Sequence, residues 1–108
     1  MFRDQREPIA VIPCGERWPD GSLRPSVEDF LGAGAILSHL GGAPSPEARA
    51  AVAAWHEART DIESMLLASS SGKELIGHGL SADVRYAAER DVSDVVPVLM
   101  DGAFTAQA

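Results

Sequence analysis

The spacing of apolar residues changes character several times along the chain, and each change marks an element. Ile9-Ala-Val-Ile12 is an unbroken apolar run closed by Pro13 and Gly15, the pattern of a short strand covered on both faces and ending at a loop. From Pro25 or Ser26 to about Leu40 the period becomes helical. Projected at about 100° per residue, Val27, Phe30, Leu31, Ala33, Ile36, Leu37 and Leu40 take up most of the circumference, leaving Glu28, Gly32 and His39 on a narrow strip. That predicts a helix buried on more than one side, with Ser26 and Asp29 at the spacing of a capping box. Gly32 and Gly34 each weaken such a helix by roughly 1 kcal/mol relative to alanine, so they mark places where another backbone or a ligand comes close.

Ser45 and Pro46 open a second helix, predicted to reach Ala68. It is amphipathic, with Ala48, Ala51, Val52, Trp55, Ala58, Ile62, Met65 and Leu66 on one face and Arg49, His56, Glu57, Thr60, Glu63 and Ser64 on the other. Ser71 and Glu74 repeat the capping spacing and start a short helix that stops near Gly77 or Gly79; Ser81 then caps another from about Ala82 to Arg90. Val95–Leu99 reads as a second strand, with Pro97 favouring an edge or a bend. Two strands and about four helices give an α/β class, a layered α/β/α arrangement whose sheet is incomplete within these residues. Something further must cover Val27, Phe30, Ile36 and Leu40, either a second copy of the chain in a homo-oligomer or a segment these residues do not contain.

Composition narrows the setting. At 108 residues the chain suits one domain spanning 1–108, and its net charge of -7 comes with scattered cations, which excludes a nucleic-acid partner. A single cysteine, Cys14, makes no internal disulfide, and the polar stretch Met1–Pro8 lacks the apolar run of a signal peptide. No aliphatic run approaches the ~20 residues of a membrane span, so no membrane is expected and the compartment expected is the cytoplasm.

The chemistry is concentrated between Gly15 and Ala35, where Glu16, Arg17, Asp20, Arg24, Glu28 and Asp29 follow the first strand and enter the first helix. Open α/β sheets bind ligands at that position, and arginine forks meet phosphoryl or carboxylate groups with paired hydrogen bonds. The block Val11-Ile-Pro-Cys-Gly-Glu-Arg-Trp-Pro-Asp-Gly-Ser-Leu-Arg24, followed by Glu28-Asp29-Phe-Leu-Gly-Ala-Gly-Ala35, closely resembles the 2-phosphosulfolactate phosphatase family. Ser71-Gly-Lys-Glu-Leu75, Asp83-Val84, Asp91 and Val96-Pro-Val-Leu99 resemble later blocks of the same family, whose members carry a long upstream half with no counterpart here. The resemblance is therefore to a C-terminal half. It implies a layered α/β fold and magnesium-dependent hydrolysis of the phosphate ester of 2-phospho-3-sulfolactate, a step toward coenzyme M.

Within that frame Arg17 and Arg24 are the candidates for gripping a small anionic phosphorylated acid, with Gly32 and Gly34 as close-approach positions for it. The alternative for both arginines is simple pairing with Glu16 and Asp20 on the loop surface. Magnesium usually takes one or two carboxylates, so a subset of Glu16, Asp20, Glu28 and Asp29 would suffice. Asp29 has a structural alternative as the cap partner of Ser26, and Glu28 gains from the helix N-terminus whatever its role. Glu16 and Asp20 are the candidate catalytic carboxylates, as base or metal ligand. Other routes fail on spacing: a cysteine phosphatase needs an arginine six positions after its nucleophile, where Asp20 follows Cys14, and no Asp-x-Asp occurs. Ser69–Lys73 lacks the glycine and the serine or threonine of a nucleotide-binding loop, and His39, His56 and His78 lack the spacing of a zinc site.

Overall fold

The apolar run Ile9–Ile12 forms no strand in the computed structural model, which describes residues 7–107. Ile9 and Ile12 are 43% and 77% exposed. A strand exists only where a neighbour takes its N–H and C=O groups, and no segment among the described residues pairs with this one. The strands that do form belong to two separate antiparallel hairpins. The first, β1 (Glu16–Arg17) with β2 (Leu23–Arg24), lies inside the charged turn itself. The second pairs β3 (Val96–Met100) with β4 (Ala103–Gln107). Strand β3 sits one residue beyond its expected span, and β4 was not anticipated. Asp101 and Gly102 turn the chain with φ of 50° and 81°, the pair of positive angles that a two-residue hairpin loop requires.

Between the hairpins lie five helices: α1 (Val27–Leu37), α2 (Pro46–Ala58), α3 (Ile62–Ala68), α4 (Ser70–Gly77) and α5 (Ser81–Ala88). The long helix expected over 46–68 is broken at Arg59–Asp61. Thr60 donates its hydroxyl to the Glu57 carbonyl, and Asp61 leaves helical geometry at φ −144°, ψ 43°. Threonine and aspartate compete with the helix for its own backbone groups, which ends the run despite a continuous apolar face. Helix α4 starts one residue before Ser71. Its cap is Ser69, whose Oγ accepts from Gly72 N–H and donates to the Leu66 carbonyl, so one hydroxyl closes α3 and opens α4. Helix α5 begins at Ser81 itself, after Leu80 and without a side-chain cap.

The helices pack in two groups. Helix α1 lies against α2, where the buried residues are Leu31, Ala33 and Gly34 facing Ala51 and Ala58. Helices α3, α4 and α5 pack on one another around Leu66, Val84 and Ala88, with Ile62, Leu67 and Leu75 against them. Side-chain ties join the groups, among them Arg90 over the Trp55 ring at 5.7 Å. Both cores are thin. Val27 and Phe30 are each 38% exposed and Ile36 56%, so α1 is covered along one side only by the described residues. No helix among them is long and apolar enough to cross a membrane.

Candidate functional site

The charged turn is ordered by its own side chains. Trp18 N–H donates to the Ser22 carbonyl and Gly21 N–H to the Trp18 carbonyl, both at 2.8 Å, closing the loop between β1 and β2. Asp20 stands at the tip, where its Oδ1 accepts from Ser22 N–H at 2.9 Å and from the Ser22 hydroxyl at 2.6 Å. Those hydrogen bonds, the hydroxyl first, hold its carboxyl below the ordinary value of 3.8. Arg17 donates from Nη1 to the Gly21 carbonyl at 2.9 Å, spanning the same loop. The alternative pairing of the arginines with Glu16 and Asp20 does not form among the described residues, since Arg17 binds backbone and Arg24 pairs with Glu74.

Arg24 is the centre of the arrangement. The register sets it opposite Glu16, and its Nη2 crosses 50 residues of sequence to donate to Glu74 Oε2 on α4 at 2.9 Å. Its guanidinium lies over the Trp18 ring, 5.5 Å from the centroid, within cation–π range. The hydrogen bond to Glu74 raises its pKa above the ordinary guanidinium value, desolvation works against that, and the charges of Glu74, Glu16 and Glu28 add to it. The charges of three glutamates thus act on one arginine, with Glu74 in direct contact. Its side chain is 18% exposed, while that of Glu74 is 51% exposed.

The two acids of the first helical turn take different paths. Asp29 does not cap Ser26: its Oδ2 accepts from Gly15 N–H at 2.6 Å, tying α1 back to the start of the hairpin. Gly15 has φ +71° and an added Cβ would stand 2.7 Å from the Arg24 carbonyl oxygen, so this tie needs glycine twice over. Ser26 still holds the N-cap position, buried, with an Oγ that makes no hydrogen bond to a described residue. Glu28 turns inward, where with Leu66, Ser69, Ser71 and Val84 it lines a cavity of about 60 Å³. Its Oε2 is buried and has no partner among the described residues.

The glycines separate as well. An added Cβ at Gly34 would overlap the Ala51 carbonyl, so the backbone expected to approach there is that of α2, which fills the space a ligand would use. Around Gly32 nothing lies within 4 Å. A concavity of about 530 Å³ opens beside the hairpin, lined by Cys14, Gly15, Glu16, Arg17 and Leu23. It brings Glu16 and Arg17 together and leaves Asp20 at the exposed tip.

Among the described residues no three His, Cys, Asp or Glu side chains converge on a point that a metal could occupy. Of the four candidate ligands, Asp20 and Asp29 are engaged with backbone N–H groups. The donors left are Glu16, beside the hairpin concavity, and the orphaned Oε2 of Glu28, in the separate inner cavity. Local spacing missed Glu74 and Trp18 as members of the site. The serine-to-glutamate spacing pointed Glu74 at a cap, and nothing in its neighbourhood announces a partner 50 residues away.

Comparison with known proteins bears on the same residues. The sequence model of the family described as 2-phosphosulpholactate phosphatase matches residues 2–102. A Pseudothermotoga lettingae protein named "Probable 2-phosphosulfolactate phosphatase" is 33% identical over 101 residues, covering 93% of this chain and 43% of the relative. The 2-phosphosulfolactate phosphatase of Methanothermobacter thermautotrophicus is 35% identical over 100 residues, covering 93% and 42%. A Prochlorococcus marinus (strain MIT 9303) relative reaches 42% identity over 106 residues, covering 91% and 42%. The chain therefore spans about two fifths of the length of these relatives. No solved structure matches.

Proposed function

Because the chain belongs to the 2-phosphosulfolactate phosphatase family, we propose that it forms the Arg24 corner of a phosphomonoesterase site acting on 2-phospho-3-sulfolactate or a similar small phosphorylated acid. The observation that carries this reading is the placement of Arg24, largely enclosed, braced by Trp18 and Glu74, and opposite Glu16 across the hairpin. A braced guanidinium has already lost much of its rotamer freedom and can receive a tetrahedral oxyanion at low further entropic cost. Arg17 beside the concavity supplies a second cation for the carboxylate or sulfonate of the same substrate.

Magnesium, when held by the unpartnered Glu28 oxygen, would supply charge neutralisation and Lewis acidity at the phosphoryl group, which leaves the Glu16 carboxylate free as base. Glu16 faces the concavity and no described side chain occupies its carboxylate, so it takes the proton of the attacking water. Asp20, with Oδ1 committed to Ser22, shapes the hairpin that presents Glu16 and Arg24. The reaction is cytoplasmic in this reading. The exposed flank of α1, with Val27, Phe30 and Ile36, meets polypeptide equivalent to the remaining length of the relatives, or a second copy of this chain.

The test is phosphate release from 2-phospho-3-sulfolactate with magnesium, measured on this chain alone and mixed with the unmatched portion of the Methanothermobacter relative. Turnover that appears in the mixture and is lost in Arg24→Gln and Glu16→Gln supports the assignment; wild-type turnover in both variants removes it. A second reading is a non-catalytic chain that binds a partner, favoured by the exposed apolar flank of α1. Stable complex formation without turnover in that mixture would establish it.

A further inference from the structure

The pairing of Arg24 with Glu74 has a feature that a site for anions does not need for its architecture. Glu74 is on α4, half exposed, and reaches the guanidinium of Arg24 on β2 by one hydrogen bond from Nη2. A carboxylate oxygen at 2.9 Å from a guanidinium nitrogen stands where an oxygen of a phosphoryl, sulfonate or carboxylate ligand would stand. Glu16 and Glu28 already supply negative charge around Arg24. While Glu74 Oε2 holds the Nη2 position, an oxygen of an incoming anion can take it only if that carboxylate leaves. Glu28 Oε2 is buried and Glu16 is fixed opposite Arg24 by strand register, whereas Glu74 can swing into solvent without opening a void.

We propose that the Glu74 carboxylate is an internal occupant of the Arg24 anion position, displaced when a substrate anion enters. The proposal rests on the reading of Arg24 as an anion-binding residue and adds to it how that position is kept when empty. The tethered carboxylate competes intramolecularly, so it lowers the apparent affinity of every anion by one common factor, set by how often the pair is closed. It also keeps Arg24 extended over Trp18 between binding events.

The common factor separates this arrangement from its alternatives. Anion binding to the full chain is followed by the NMR shift of the Trp18 indole, at pH 8 and constant ionic strength, titrating inorganic phosphate and, separately, acetate. In Glu74→Gln both anions are expected to bind more tightly by the same factor, roughly three- to tenfold for a pair of this exposure. In the Arg24→Gln background the same change is expected to do nothing. Weaker or unchanged binding in Glu74→Gln overturns the proposal and makes Glu74 a positioning residue. Tightening much larger for phosphate than for acetate also overturns it, since that is the signature of through-space repulsion alone. If neither wild type nor Glu74→Gln binds either anion, the anion-binding reading of Arg24 fails and the proposal falls with it.

Discussion

Two glycines, two residues apart but opposite in surroundings, give the sharpest test of the helical packing. Gly32 and Gly34 both lie in α1, and replacing either with alanine brings the same gain in helix propensity, about 1 kcal/mol. At Gly32 that gain is unopposed, because nothing lies within 4 Å of an added Cβ. At Gly34 the methyl overlaps the Ala51 carbonyl oxygen and stands 2.7 Å from its carbon and 2.9 Å from Trp55 Cβ. Backbone cannot rotate away as a flexible side chain can, so α1 and α2 must separate, at about 1–3 kcal/mol for overpacking. The propensity terms cancel between the two variants. Their difference in stability is therefore the overpacking term alone, with Gly32→Ala the more stable by about 1–3 kcal/mol. On a domain of this size each kcal/mol moves the melting temperature by roughly 4–8 °C. Thermal unfolding followed through the Trp55 indole signal reads that gap directly, since Trp55 borders the disturbed contact. Equal melting temperatures would refute the backbone contact between α1 and α2.

Three further outcomes are expected. Asp29→Ala removes the acceptor for Gly15 N–H and is expected to cost about 1.5–3 kcal/mol, whereas Asp29→Asn keeps an acceptor and costs less; identical urea midpoints for the two would contradict the tie. Because Ser22 depresses the folded-state pKa of Asp20, its contribution to the hairpin is complete above the ordinary value of 3.8 and is lost as pH falls through the lower folded value. An NMR titration of the Ser22 amide should therefore show its midpoint below 3.8, and a midpoint at or above that value would break the argument. Gly102→Ala places a Cβ at φ 81°, which is expected to cost the β3–β4 hairpin about 1–2 kcal/mol and weaken the cross-strand contacts between Val98 and Thr105; unchanged contacts would refute the turn geometry.

Most helix starts were legible because they depend on neighbours a few residues away. Ser45 caps α2 as its position suggested, with Ala48 N–H bonded to its hydroxyl. Where local spacing misled, a distant partner had won. Asp29 sits three residues after Ser26, yet its carboxylate goes to Gly15; Glu74 sits three after Ser71, yet it goes to Arg24. Apolar period failed in two ways. It ran unbroken through Arg59–Asp61, where Thr60 and Asp61 turn the chain while Ile62 and Leu66 stay in phase with α2. It also made Ile9–Ile12 a strand, although an apolar run only becomes one beside a partner, and none lies among the described residues. The β3–β4 hairpin, by contrast, was announced by Asp101-Gly102, a signal strong enough to have been used.

The division of the helices into an α1–α2 pair and an α3–α5 trio has a consequence for how the molecule opens. With separate buried centres and a few side-chain bridges such as Arg90 to Trp55 and Arg24 to Glu74, either group can come apart while the other persists. Amide protons should accordingly fall into two sets with distinct protection against deuterium, one for each group. Whatever tightens the bridges, a bound ligand or an added polypeptide, would draw those two sets toward a single value.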